Sequence, residues 1–264
     1  MGKKVFIFGI LILFFIVGLS GCFGPQATDY YNGSYPVNEQ TILRVINKNG
    51  QVEITGWDGE NVTINAVKRS VTEELSKIEI NGTYVGNYLN IETRYTGLSA
   101  FSVDINIKVP RDVHIESVTS SNGAILLTDT IGNVTTLTSN GAIDINNIDG
   151  YVSAETSNAH VEVKGVTGIT YIHTSNGAIT AEVADIQEDI SIETSNAAIT
   201  VYINPSLNVT IDMRTSNSKI NIEGVSLNVQ SLEDTHVLGT LGSDGHRLDI
   251  HTSNANIHLI NLQI

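Results

Sequence analysis

Cysteine is almost missing from this chain. The 264 residues hold one, Cys22, so no intramolecular disulfide framework can form and stability must come from packing and hydrogen bonding. Proline is scarce at 4 and tryptophan occurs once. Cations are few: 14 Lys and Arg face 28 Asp and Glu, for a formal charge of −14. A leader charged only by Lys3 and Lys4 would leave −16 on the remainder. Phosphate binding needs a basic footprint, so nucleic acid is excluded as a partner. The acids are spread thinly and never form a block, which describes a solvated surface. Gly-rich phosphate loops, Cys-x-x-Cys pairs and Gly-x-Ser-x-Gly elbows are also missing, and no cofactor is implied.

What is present is the vocabulary of strands and turns. Gly numbers 23, hydrophobic residues make up 41%, and Ile, Val, Thr, Asn and Ser fill most of the rest. The sequence therefore predicts an all-β protein.

The longest apolar run, Val5 to Leu19, follows Lys3 and Lys4 and ends in Leu19-Ser20-Gly21-Cys22. Charged region, hydrophobic region and small-residue cleavage site in that order describe an export signal, and the run is short for a membrane span. Leu-Ser-Gly-Cys resembles a lipobox, which implies cleavage before Cys22 and lipidation of its thiol. Residues 1–21 are thus expected to be a lipoprotein signal peptide, and 22–37, which lack periodicity, a lipid-anchored tether. The remainder would lie on the outer face of the cytoplasmic membrane or in the cell envelope. On an exported chain the Asn-x-Ser/Thr sequons at Asn32, Asn61, Asn81, Asn133 and Asn208 are candidate glycosylation sites.

From residue 119 onward a Thr-Ser-Asn motif returns, with Asn122, Asn140, Asn158, Asn176, Asn196, Asn217 and Asn254 spaced by 18, 18, 18, 20, 21 and 37 residues. A fixed period marks stacked units, and the last gap predicts one degenerate or decorated turn. A small residue follows each Asn, as a tight corner requires: Gly123, Gly141, Ala159, Gly177, Ala197, Ser218 and Ala255. Three residues after each Asn stands a β-branched column from Ile125 to Ile257, and two further on a second column from Leu127 to Leu259. That alternation buries one face of each strand. A second glycine column, Gly132, Gly150 and Gly168, predicts another corner. Seven asparagines in register suit an internal amide ladder that holds coil to coil rather than a ligand site. A left-handed hexapeptide helix would repeat its aliphatic anchor every six residues. Ile143 followed by Asp149 breaks that rule, which favours a right-handed parallel β-solenoid of about 18–21 residues per coil over residues 119–264.

Residues 38–118 read differently. Val45 to Asp58 looks like a divergent first copy, and Ile78 to Pro110 alternates in longer strands with Asn81-Gly82 as a hairpin candidate. An antiparallel cap is the expected cover for the first coil, whereas the C-terminal end shows no cap and is a candidate edge for self-association.

Asn49-Gly50-Gln51-Val52-Glu53-Ile54-Thr55-Gly56-Trp57-Asp58, Ile107-Lys108-Val109-Pro110-Arg111-Asp112-Val113, the Thr-Ser-Asn-Gly-Ala-Ile copies and Gly239-Thr240-Leu241-Gly242-Ser243-Asp244-Gly245 resemble the putative-adhesin β-solenoid domains of bacterial and archaeal envelope proteins. The resemblance covers roughly residues 40–264, implies fold and envelope location, and brings no catalytic residues.

Three residues before each Asn runs an outward column containing Leu137, Glu155, His173, Glu193, Arg214 and His251. Glu155, His173 and Glu193 are the candidate metal ligands, since His with carboxylates suits zinc-like ions. An arginine continuing the column fits a charge ladder better, so no metal is assigned. A β-helical polysaccharide-active enzyme would need paired carboxylates in one cleft, and the acids here are scattered singly. The sequence therefore points to a non-enzymatic surface lipoprotein, structural or adhesin-like, with the membrane and an envelope polymer or protein as partners. The alternative is a scaffold or sensor subunit of a membrane complex.

Overall fold

The computed structural model describes residues 27–263 apart from 73, 98 and 99, so residues 1–21, expected as a signal peptide, and Cys22 lie outside the described residues. The chain is all-β, with one 3-10 turn at Glu74–Lys77. In chain order, the strands of the N-terminal part are β1 (Ala27–Pro36), β2 (Ile42–Ile46), β3 (Val52–Trp57), β4 (Asn61–Ser70), β5 (Ile78–Val85), β6 (Tyr88–Tyr95) and β7 (Phe101–Pro110). The repeats supply β8 (His114–Thr119), β9 (Ile125–Ile131), β10 (Val134–Leu137), β11 (Ile143–Thr156), β12 (Val161–Thr174), β13 (Ile179–Val183), β14 (Ile190–Thr194) and β15 (Ile199–Ile203). The C-terminal part holds β16 (Val209–Thr215), β17 (Ile220–Glu223), β18 (Asn228–Glu233), β19 (His236–Leu241), β20 (His246–Thr252) and β21 (Ile257–Asn261).

Two ladders of parallel strands run the length of the stack, one on each side of the Asn corner. On the near side β2, β8, β10, the end of β11, the end of β12, β14, β20 and β16 pair in that order. On the far side the order is β7, β3, β9, the start of β11, the start of β12, β13, β15, β21 and β17. Ile125 pairs with Ile143, Ile143 with Val161 and Val161 with Ile179, so the sequence period is the ladder register. These side chains are at most 1% exposed. Each aliphatic therefore rests on the one beneath it, and truncation of any would open a cavity costing about 2–5 kcal/mol.

The Asn corner is built by two columns. Asn side chains donate to one another up the stack: Asn140 to Asn122 at 2.7 Å, Asn158 to Asn140 at 2.7 Å, Asn176 to Asn158 at 2.9 Å and Asn196 to Asn176 at 2.8 Å. The sequence placed this ladder inside, whereas its asparagines are exposed along the corner's outer edge. The inner column is threonine. Thr138, Thr156 and Thr174 donate to the carbonyls of Gly141's predecessor coil and its successors, namely Gly123, Gly141 and Ala159, at 3.1, 2.9 and 3.0 Å. Thr138 and Thr174 also accept the N–H of Gly141 and Gly177, three residues on. One hydroxyl thus ties its own corner to the preceding coil, and these threonines are at most 2% exposed. A Cβ on Gly123 would collide with the carbonyl of Gly50 below, and one on Gly141 or Gly177 with that of Gly123 or Ala159, so these three members of the column are held to glycine.

The second corner lies at Gly132 and Gly150, both at positive φ, but Gly168 does not share that conformation. A further left-handed column stands three residues earlier: Asp129 (φ 57), Asn147 (φ 56) and Gly165 (φ 59). Asn147 donates to Asp129 at 2.6 Å there. Asn, Asp and Gly are the residues that tolerate this region.

Stack order departs from sequence order at both ends. The pair β2 and β3 lies between β6 and β7 on one side and β8 and β9 on the other. The pair β20 and β21 lies between β14 and β15 on one side and β16 and β17 on the other. The C-terminal strand is therefore interior, not the predicted pairing edge. The 37-residue gap holds no extra coil: β18 and β19 form an antiparallel hairpin against β16, and the chain then re-enters the stack. The free edges at this end belong to β17 and β18, which cap strands that would otherwise be bare.

The antiparallel elements at the other end are β1 on β4, β4 on β7 and β5 on β6. Residues 27–36, expected as part of a tether, form β1 and pair with β4 over their whole length. Alternation was hidden there because the inner face is made by half-buried Tyr31, Gly33 and Tyr35 rather than by aliphatics. Asn81-Gly82 is not the hairpin turn. It lies within β5, Tyr35's ring packs against Gly82, and the turn is made by Gly86, at φ 63, and Asn87.

Candidate functional site

The outward column of the near ladder reads Leu137, Glu155, His173, Glu193, His251 and Arg214 in stack order, because β20 enters between β14 and β16. Glu155, His173 and Glu193 do occupy adjacent coils. Their donor atoms do not converge: among the described residues no three His, Cys, Asp or Glu side chains surround a common point. Glu193 instead accepts the Ser191 hydroxyl at 2.7 Å, and the His173 ring stacks against Tyr171 with centroids 6.0 Å apart. Burial, then the nearby Glu193 and Glu155 charges, push the Tyr171 phenol above its ordinary pKa. The column is not the continuous charge ladder expected either, since Arg214 turns sideways.

Arg214 turns to Asp212, whose side chain is 3% exposed. Arg214 donates to it through Nε at 3.0 Å and a terminal nitrogen at 2.7 Å, His236 Nε2 lies 3.1 Å away, and Arg247 completes the set. Arg247 also bonds Asp249 at 2.7 Å, and that bond is the main cause of its raised pKa. A buried carboxylate held by two guanidinium groups and an imidazole has its hydrogen-bonding capacity filled, and it fastens β16, β19 and β20 into one unit. The shallow pocket beside it, about 220 Å³, includes Ser191, Glu193 and His251.

A second concavity of about 380 Å³ lies on the outer face of β1, β4, β7 and β3. Register places Asn32 opposite Asn65, Asn65 opposite Asn106 and Asn106 opposite Glu53, a level row across four strands. The neighbouring row holds Tyr30, Val67 and Asp104, and Tyr30 is 72% exposed. Asp104 is tied to Arg69 and accepts the Gln51 N–H at 3.0 Å. Among the described residues Asn32, Asn65 and Asn106 make no side-chain hydrogen bond, in contrast to the corner asparagines. Sequence reasoning missed this row because its members come from four distant strands and no motif gives their register. Of the sequons, Asn133 accepts the Tyr151 N–H and Asn208 the Ser243 N–H through Oδ1, while Asn32 is unengaged at the rim of this groove; Asn61 begins β4 and Asn81 bonds Glu79.

No protein-family model matches the chain, and no curated protein does. Among solved structures, a putative cell adhesion protein from Clostridium sporogenes ATCC 15579 aligns at 12% identity and TM-score 0.40 over 89% of this chain and 100% of its own. A putative adhesin from Bacteroides fragilis aligns at 9% identity and TM-score 0.32 over 89% and 97%, and one from Parabacteroides merdae at 10% identity and TM-score 0.34 over 89% and 96%. Similarity at that level leaves the function to be read from this chain's own surfaces.

Proposed function

We propose that this chain is a right-handed parallel β-solenoid over residues 119–264 with an N-terminal coil and antiparallel cap over 38–118, lipid-anchored through Cys22 on the outer side of the membrane, and that it serves the envelope as a non-enzymatic structural or adhesin-like binding module. One observation carries the reading. The repeat's polar residues, Thr138 to Thr174 and Asn122 to Asn254, bond coil to coil, while the outward columns form long polar faces. Such a body offers surface rather than a single reacting point.

The test uses the full chain in lipid vesicles, presented to envelope fractions of the producing organism. Retention of an envelope polymer or protein is expected. Failure to bind any fraction and failure to self-associate would together remove the reading. Cys22→Ser should abolish incorporation of labelled lipid; a variant that still takes up lipid would sink the anchor.

A second reading, a scaffold subunit of a membrane complex, is favoured by β18, an edge strand that exposes Val229 at 46% and Leu232 at 71%. Leu232→Lys should then disrupt a complex without loosening the stack.

A further inference from the structure

We propose that the groove on the outer face of β1, β4, β7 and β3 binds an uncharged, hydroxyl-rich saccharide, an inference that rests on the envelope-binding reading above. The first support is the row of unengaged amides. Each carboxamide carries two donors and two acceptor lone pairs, and Asn32, Asn65 and Asn106 offer theirs side by side on strands about 4.8 Å apart. Where asparagines stack at the corner between parallel strands they satisfy one another, as at Asn158 and Asn176. Here β1, β4 and β7 are antiparallel, so neighbouring side chains lean in opposite directions along their strands and no ladder closes. The row keeps its hydrogen-bonding capacity for something outside the chain.

The second support is Tyr30. A large aromatic left 72% exposed beside a concavity gives a rigid apolar platform with a polar tip, at little conformational cost. The apolar C–H face of a sugar ring fits that platform while its hydroxyls reach the amides. The groove's volume of about 380 Å³ falls in the range of small-ligand sites.

Charge selects the class. Asp104 is neutralised by Arg69, which leaves Glu53 as the row's open carboxylate, accepting from Gln51 at 3.4 Å. On a chain of net charge −14 an anionic polymer would be repelled, whereas Glu53 can accept from a hydroxyl pair. An extended peptide would sooner pair with the backbone edge of β1 than lie across side-chain amides.

The test is titration of the full chain in detergent micelles with short gluco-, manno-, galacto- and N-acetylglucosamine oligosaccharides, with oligogalacturonate as the anionic probe. At least one uncharged oligomer should bind. Tyr30→Ala and the double variant Asn65→Ala/Asn106→Ala should each weaken it about tenfold or more, with circular dichroism unchanged. The proposal is overturned if no uncharged oligomer binds at millimolar concentration, if oligogalacturonate binds best, or if both variants bind as tightly as the parent. Release of new reducing ends would also contradict a site that only binds. Capture of envelope fractions by a chain that ignores every oligosaccharide would sink the groove and leave the envelope-binding reading standing.

Discussion

Asn254 donates its side-chain amide to Asn196 at 2.9 Å across 58 residues of sequence, and accepts from Asn217 at 2.7 Å. The two bonds place the last Thr-Ser-Asn copy between the fifth and sixth. Thr252 repeats the arrangement inside, donating to the Ala197 carbonyl at 3.0 Å, as Thr215 does to Ala255 at 2.9 Å. A chain that tucks its last coil inside has no frayed end there, and its free edges fall on β17 and on the β18 hairpin strand instead.

The two corner columns should differ in energetic weight. Thr174→Val keeps shape but strands the Ala159 carbonyl and the Gly177 N–H in the interior, at a cost of about 2 kcal/mol. Asn176→Ala removes bonds that water can replace, and should cost less than about 1 kcal/mol. Urea unfolding of both variants, read as midpoints at matched slope, checks the order; a larger loss from Asn176→Ala would place the strength of the corner in the wrong column.

The Asp212 cluster should behave as a structural fastener. Asp212→Ala removes the buried carboxylate that Arg214, His236 and Arg247 share and should lower stability by about 2 kcal/mol. The loss should be local, seen first as faster proteolysis of the β18–β19 hairpin. Unchanged stability and unchanged cleavage would show the cluster to be idle.

Tyr31 gives a pH signature. Burial first, then the hydrogen bond with the Tyr35 hydroxyl at 2.9 Å, raise its pKa to about 12 from 10.0. A phenol whose folded pKa is raised contributes stability that is complete below 10.0 and is lost as pH climbs through about 12. Alkaline unfolding should therefore steepen in that window, and Tyr31→Phe should flatten it. An identical profile in Tyr31→Phe would assign the alkaline loss elsewhere.

Much of the middle of this fold was legible because its period is its register. Ile125, Ile143 and Val161 stand eighteen residues apart and pair directly, so the sequence alone predicts the core column. What could not be read was order. Asn217 and Asn254 carry the same motif, and local spacing cannot say which coil closes the stack. At the corner threonine lies inside and the asparagine ladder outside, a side set by backbone geometry at a single turn. β1 was hidden because it buries tyrosine and glycine on one face. The outer groove was illegible for a stronger reason: the Asn32, Asn65, Asn106 and Glu53 row exists only once four strands have found their register.

Native-state hydrogen exchange of the full chain, read peptide by peptide, tests the threaded stack most directly. Amides of β20 and β21, although near the C-terminus, should exchange as slowly as those of β14 and β15, and more slowly than those of β17 and β18. Fast exchange in β20 and β21 with protection in β17 would mean that the coils stack in sequence order, and would contradict the account.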